Sequence, residues 1–161
     1  MNAAALTALV ALATCATPAS AKYIELNAPA AFALVVDDGD AMASWYTETF
    51  GIVEAHRHVM DNGAVIIMLR SDTMAVELID VPNALDPLAI DEAVTRRSQV
   101  RGHFKAGVFV ADAEAAHAAL AAQGRDVDAR VMSDEDWAGF FNLRDPEGNT
   151  VQIFERYSAT D

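Results

Sequence analysis

The chain carries the same order of strands and helix twice, and this internal repeat constrains its fold more than any other feature. In each half, one strand-like run precedes a helical pattern, and three more strand-like runs follow it. The strands of the first half are predicted at residues 32–36, 52–59, 64–70 and 73–80. Those of the second half are predicted at residues 103–110, 127–132, 140–144 and 150–154. We therefore expect two βαβββ units in tandem.

The helix of each unit lies between matching start and stop signals. Acidic residues at positions 37–40 supply turn and N-cap chemistry before the first helix, and Gly51 is placed to end it. Asp112 and Gly124 take the same two parts in the second unit. A shorter helix is predicted within residues 86–97 of the connector between the units.

The first residues of the chain have the pattern of a signal peptide. Residues 1–21 carry no charged side chain, and small residues at Ala19 and Ala21 predict cleavage before Lys22. Export to the periplasm or out of the cell follows, because this segment directs secretion. The alternative is a lipoprotein signal with an acyl chain on Cys15, the one cysteine of the chain, and this is the one route to a membrane partner.

Charge excludes several classes of partner. The chain has 24 acidic and 11 basic residues, which gives a net charge of −13. A nucleic-acid surface needs clustered cations to displace counterions from phosphates, and the basic residues here are scattered. We therefore expect no nucleic-acid partner.

The end of the chain resembles the closing hairpin of the vicinal oxygen chelate superfamily. Residues 140–149, FFNLRDPEGN, lead into residues 150–155, TVQIFE. The resemblance extends to Trp45-Tyr46, Phe50-Gly51 and Val76-Glu77-Leu78. This superfamily includes glyoxalases, bleomycin-resistance proteins, fosfomycin-resistance enzymes and extradiol dioxygenases. The resemblance implies an α+β fold in which tandem βαβββ units form a curved mixed-sheet cup with the helices outside.

The same resemblance implies the domain organisation. The signal-peptide pattern at residues 1–21 precedes the single domain that the resemblance implies at residues 22–161. Within that domain, unit one covers about residues 30–80, the connector residues 81–101 and unit two residues 102–157. Because related proteins commonly complete their cups across a two-fold axis, a homodimer is expected.

The resemblance also points to the polar groups of the cup. The superfamily's metal-binding members use one position from the first and one from the last strand of each unit, and these positions fall on Ala31, Glu77, Lys105 and Gln152. Of these side chains, Glu77 alone is an ordinary metal ligand. We therefore expect no metal and no other cofactor, with Lys105 supplying the missing positive charge beside Glu77. From alternation alone, a glutamate exposed at a sheet edge is equally consistent with the pattern.

Several other side chains are further candidates. His103 shares the cup-facing parity of Lys105, and a strand bulge would create a divalent metal site from Glu77, His103 and Gln152. Trp137 follows a polar loop and is a candidate lid over a flat ligand. His56 and His58 share one strand face, whereas His117 is predicted on the surface of the second helix. The apolar side chains predicted to line the cup or the core are Val35, Met60, Met68, Phe109 and Phe154.

Two functions remain open. The first is an exported protein that binds a small organic molecule in its cup, without metal, as in the bleomycin-resistance branch; the candidate ligand contacts are Glu77, His103, Lys105, Gln152 and Trp137. The second is a metal-dependent lyase, isomerase or dioxygenase of the glyoxalase type. A metal-free enzyme with Glu77 as general base is a further alternative.

Overall fold

Each half of the repeat folds into a four-stranded sheet with one helix packed against it. The computed structural model describes residues 31–133 and 137–156; the predicted signal peptide and Cys15 lie outside this part. The elements of the first half are β1 Ala31–Val36, α1 Gly39–Phe50, β2 Val53–Val59, β3 Val65–Arg70 and β4 Ala75–Asp80. Those of the second half are β5 Lys105–Phe109, α3 Ala113–Ala122, β6 Asp126–Val127, β7 Trp137–Arg144 and β8 Thr150–Arg156.

The two sheets have the same topology, which confirms the predicted tandem of βαβββ units. The strand order is β1-β4-β3-β2 in one sheet and β5-β8-β7-β6 in the other. In both sheets the first and last strands of the unit pair in parallel, and the other pairs are antiparallel. The observed class is therefore the expected α+β mixed-sheet architecture. In the described residues, no helix has the length and apolar character needed to span a membrane.

The helices begin and end where the acidic and glycine signals predict. The Asp38 side chain accepts a hydrogen bond from the Ala41 N–H at 2.9 Å, and the Asp112 side chain accepts one from Ala115 at 2.8 Å. Gly51 ends α1 with a φ of 67°, in the left-handed region that glycine enters without strain.

Alternation along the strands separates a packed face from an open one. In β4, Val76 and Leu78 are fully buried, whereas Glu77 between them is partly exposed. In β8, Val151 and Ile153 are buried in the same core. Apolar side chains on the helix side of each sheet therefore form the core. We call the opposite faces of the two sheets the cup face.

The predicted strand at residues 127–132 is shorter than expected. β6 contains Asp126–Val127, and one isolated bridge joins Met132 to Phe140 further along. The Asp128 carboxylate accepts hydrogen bonds from the Asn142 backbone N–H at 3.0 Å and its side-chain amide at 2.7 Å. A side chain that takes ladder hydrogen bonds competes with regular pairing, so the strand stops here.

The connector helix is also shorter than predicted. Asp86 caps a single turn, α2 Pro87–Ile90, and a 3₁₀ turn follows at Arg97–Gln99. The Asp91 side chain accepts a hydrogen bond from Ala93 at 2.9 Å, which closes a local turn in place of a helical one.

A buried hydrogen bond joins the two halves. The Tyr46 hydroxyl of α1, fully buried, donates to the Asp145 carboxylate at 3.2 Å. The same carboxylate accepts from the Glu147 N–H at 3.1 Å and from the Asn149 N–H and side-chain amide at 2.8 and 2.9 Å. The closing turn is thus a structural element, and the Tyr46–Asp145 hydrogen bond joins it to the first helix.

Within the described residues, Arg144 does not form an ion pair with its neighbour Asp145. Arg144 extends along the sheet to Asp128 at 3.4 Å and Asp126 at 3.7 Å. Adjacent strand residues point to opposite faces, which places Asp145 in the core and Arg144 on the cup face.

A second contact between the halves is cationic. The Arg125 guanidinium lies over the Trp45 ring, 5.5 Å from its centroid, and forms an ion pair with Glu48 at 3.1 Å. Trp45 and Glu48 belong to α1 and Arg125 follows α3, so this contact ties one unit's helix to the other unit.

The Tyr46→Phe variant tests the buried link. Burial raises the pKa of Asp145 above its usual range, and the hydrogen bonds from Asn149 and Tyr46 oppose that rise. A raised folded-state pKa favours the fold below the ordinary carboxyl pKa, and this contribution is lost as the pH rises through the raised pKa. Without the hydroxyl, that pKa rises further. We expect a loss of about 1.5 kcal/mol of unfolding free energy at neutral pH and a smaller loss in acid.

Urea unfolding at both pH values checks this expectation. In an Asp145→Asn background, where the titrating group is gone, the effect of Tyr46→Phe should be independent of pH. An equal loss at both pH values with Asp145 present would contradict the assignment.

Candidate functional site

The cup face is arranged in rows that run across the strands. In the first sheet, the central row joins Ala33, Glu77, Met68 and His56 through the strand register. In the second sheet, the equivalent row joins Gly107, Gln152 and Asn142. Glu77 and Gln152 therefore hold matching positions in the two units, as predicted. Their partners on the first strands are Ala33 and Gly107, each two residues after the expected Ala31 and Lys105.

Glu77 is a half-buried carboxylate among neighbours that cannot neutralise it. Its register partners are the methyl group of Ala33 and the thioether of Met68. Within residues 31–133 and 137–156 its side chain makes no hydrogen bond and no ion pair. Gln152, in the matching position, is 6% exposed, and its amide likewise makes no hydrogen bond there.

Lys105 and Glu77 do not form the expected ion pair. The register places Lys105 opposite Thr150, one row away from Gln152. In the described part of the chain, Lys105 has no acidic side chain within ion-pair distance.

The central rows do not provide a metal site of the superfamily's type. Glu77 offers one carboxylate and Gln152 a neutral amide oxygen, while Ala33 and Gly107 beside them have no side-chain donor. In the two described ranges, no three His, Cys, Asp or Glu side chains come together as a possible metal site. This donor set does not fit a tightly bound divalent ion.

A cleft of about 750 Å³ lies between the edges of the two sheets. Strands β1 and β5 are the facing edges, and each pairs with one neighbour inside its own sheet. The walls of the cleft combine side chains from the cup face with side chains from the helix side of the sheets. The lining residues are Ala31, Phe32, Phe50, Ile52, Ser71, Thr73, Met74, His103, Lys105, Ala106, Gly107, Val108, Phe109 and Val110.

Two of the predicted ligand contacts, His103 and Lys105, meet in this cleft, whereas Glu77 and Gln152 do not line it. The opposite wall of the cleft was not predicted from the sequence, and it includes Phe32, Phe50 and Thr73. Parity assigns Phe32 to the helix side, and no sequence signal shows that two sheet edges stay apart.

The remaining histidines divide between solvent and structure. His56 and His58 share one face of β2 and are exposed, as expected. The prediction that His117 lies on the surface is wrong: its Nε2 is 2.7 Å from the Asp128 carbonyl, and its ring lies edge-on to Phe141. These two contacts hold the His117 side chain between α3 and β7.

The aromatic candidates occupy one end of the cup face. Phe109, Phe154 and Phe140 form a row across β5, β8 and β7, and Phe109 is 57% exposed. Val35 in the first sheet is 56% exposed. Trp137 begins β7, and the placement of its side chain lies outside the described part. In the described part of the chain, the cup face thus carries exposed apolar side chains.

Comparison with known proteins identifies the architecture. The family model of the Glyoxalase/Bleomycin resistance protein/Dioxygenase superfamily matches residues 28–153. No curated protein is similar enough in sequence to count as a match.

Solved structures share the fold at low sequence identity. TnmS3, an antibiotic binding protein from Streptomyces sp. CB03234, is 17% identical with a TM-score of 0.59; the match covers 84% of this chain and all of that one. A glyoxylase/bleomycin resistance protein/dioxygenase domain from Frankia sp. EAN1pec is 16% identical, with a TM-score of 0.63 and coverage of 83% and 100%. The trypanothione-dependent glyoxalase I of Leishmania major is 17% identical, with a TM-score of 0.56 and coverage of 78% and 84%.

The Glu77→Leu variant tests whether this carboxylate is structural. In the described part of the chain, the Glu77 carboxylate has no hydrogen-bond or ion-pair partner to lose, and leucine adds apolar contact with Met68. We therefore expect the unfolding free energy to stay within about 0.5 kcal/mol or to rise. Urea unfolding measures it.

Asp145→Leu is the matched carboxylate control. This substitution leaves several buried donors without an acceptor, so it should lower the unfolding free energy by about 3 kcal/mol or more. A loss above about 1 kcal/mol in Glu77→Leu would show that Glu77 has a structural role.

Proposed function

Because the chain belongs to the glyoxalase/bleomycin resistance protein/dioxygenase superfamily, we propose that it binds a small organic molecule at its cup, without a metal ion. The candidate contacts are His103 and Lys105 in the cleft, Glu77 and Gln152 on the cup face, and Trp137 at the start of β7. In this proposal the protein is exported and holds its ligand as a binding or sequestering protein.

The cleft between the sheet edges is the observation that carries the proposal. A space of about 750 Å³ matches the size of small-molecule sites, which are concave, mostly apolar and supplied with a few polar groups. Phe32, Phe50 and Phe109 supply the apolar walls, and Lys105 and His103 supply the polar groups. The solved neighbour described as an antibiotic binding protein supports the same class of function.

The donor set of the cup favours binding without metal. A glyoxalase-like lyase, isomerase or dioxygenase needs an ion held by several side chains, and Glu77 with Gln152 supplies too few. His103, the residue expected to complete such a site, lines the cleft, whereas Glu77 and Gln152 do not.

Metal content is the first test. The mature protein, incubated with Mn²⁺, Fe²⁺, Ni²⁺ and Zn²⁺ in turn and then desalted, should retain far less than one ion per chain by elemental analysis. The uncharged fluorescent probe N-phenyl-1-naphthylamine should bind equally before and after treatment with EDTA. Near-stoichiometric metal that disappears in Glu77→Ala would overturn the metal-free proposal.

We also propose a periplasmic or secreted homodimer. β2, at the free edge of the first sheet, is exposed along its whole length, including Val53 and Val59, and a second copy would cover such an edge. The intact mass of protein from cells should begin at Lys22, and light scattering should give twice the mass of one chain. An intact mass that retains residues 1–21 would contradict export, and the mass of one chain would contradict the dimer.

A further inference from the structure

The charges of the cleft differ from those of the rest of the molecule. Among the described residues that line it there is no Asp or Glu, although acidic residues outnumber basic ones 24 to 11 in the chain. Two smaller hollows show the opposite. One of about 510 Å³ has Asp37, Asp86 and Glu147 in its walls, and one of about 360 Å³ has three acidic residues beside Arg57. The described walls of the cleft thus lack the acidic residues that the two smaller hollows carry.

The ammonium group of Lys105 in the cleft is also available to bind a ligand. Arg57, Arg97, Arg125 and Arg144 are each engaged by a carboxylate. Lys105 is exposed and has no such partner within the described ranges. His103, two residues earlier, lines the same cleft and can donate a hydrogen bond from its ring.

The remaining walls suit an apolar body. Phe32, Phe50 and Met74 come from the first unit, and Val108 and Phe109 come from the second. Gly107 leaves room for the Phe154 ring, because a Cβ there would lie 3.0 Å from that ring. The cleft therefore offers apolar walls of aromatic and aliphatic side chains together with a cationic group.

We propose that the ligand of this cleft is an organic anion, with a carboxylate or sulfonate bound by Lys105 and His103 and a flat apolar body between the walls of β1 and β5. This inference rests on the proposed function and adds the chemical class of the ligand. The net charge of −13 points instead to a cationic ligand. However, salt screens charges beyond about 8 Å, so the groups in contact with the ligand decide its sign.

Two dyes with one skeleton separate the apolar part of this binding from the ionic part. 8-Anilinonaphthalene-1-sulfonate carries a sulfonate, and N-phenyl-1-naphthylamine has the same rings without it. In Lys105→Met, which keeps the length of the side chain and removes its charge, the dissociation constant of the sulfonate dye should rise about fivefold. The dissociation constant of the uncharged dye should not change.

Three variants serve as controls. Lys105→Arg keeps the charge and should bind the sulfonate dye like the natural chain. Arg130→Met changes the net charge equally at an exposed position outside the cleft and should have no effect. Thr73→Trp fills the cleft from an exposed turn and should abolish binding of both dyes. Thermal unfolding of each variant confirms that it is folded.

The possible results distinguish this inference from the function beneath it. Binding of the uncharged dye to the natural chain, and its loss in Thr73→Trp, would support the ligand site. If Lys105→Met then leaves the dissociation constant of the sulfonate dye unchanged, the anion proposal is wrong. The anion proposal is also wrong if Lys105→Met weakens both dyes equally, because the lysine then acts through packing. If neither dye binds, or if Thr73→Trp leaves both bound, the cleft is not a ligand site and both proposals fail.

Discussion

The hydrogen bonds around Asp145 hold the two repeated units in one arrangement. No strand ladder joins the two sheets in the described part of the chain, so the position of one sheet against the other depends on contacts from helices and turns. Tyr46 of the first helix donates a hydrogen bond to the Asp145 carboxylate, and the Arg125 guanidinium lies over the Trp45 ring. These contacts join two units that also share one hydrophobic core.

This arrangement separates stability from function within each strand. Side chains on the helix side are buried together, and Val76, Leu78, Val151 and Ile153 form one core. In the described part of the chain, cup-face side chains such as Met68 and Glu77 are partly exposed. A carboxylate without a partner, such as Glu77, can remain there because it keeps contact with water. The core is therefore built from side chains other than the polar groups of the cup face.

Sequence patterns predicted most of this fold but less of the site. Alternation placed Glu77, Lys105 and Gln152 on one face, and the register agrees. The expected pairing of Lys105 with Glu77 is not observed, because the two residues lie in different sheets and in different rows. Alternation reports which face a side chain occupies and carries no information about distances between two sheets. His117 illustrates the same limit, since its partner Asp128 belongs to a strand that ends early.

The sequence by itself determined the repeat, the capped helices, the buried face of each strand and the closing turn. Each of these follows from local chemistry: a period of two in strands, aspartate at helix starts, and proline and glycine in a turn. Tertiary structure alone decided that β1 and β5 stay apart, and that Phe32, Thr73 and Lys105 line one cleft. These residues are distant in the chain, and the gap between them depends on how two separately specified sheets are held by a few contacts elsewhere.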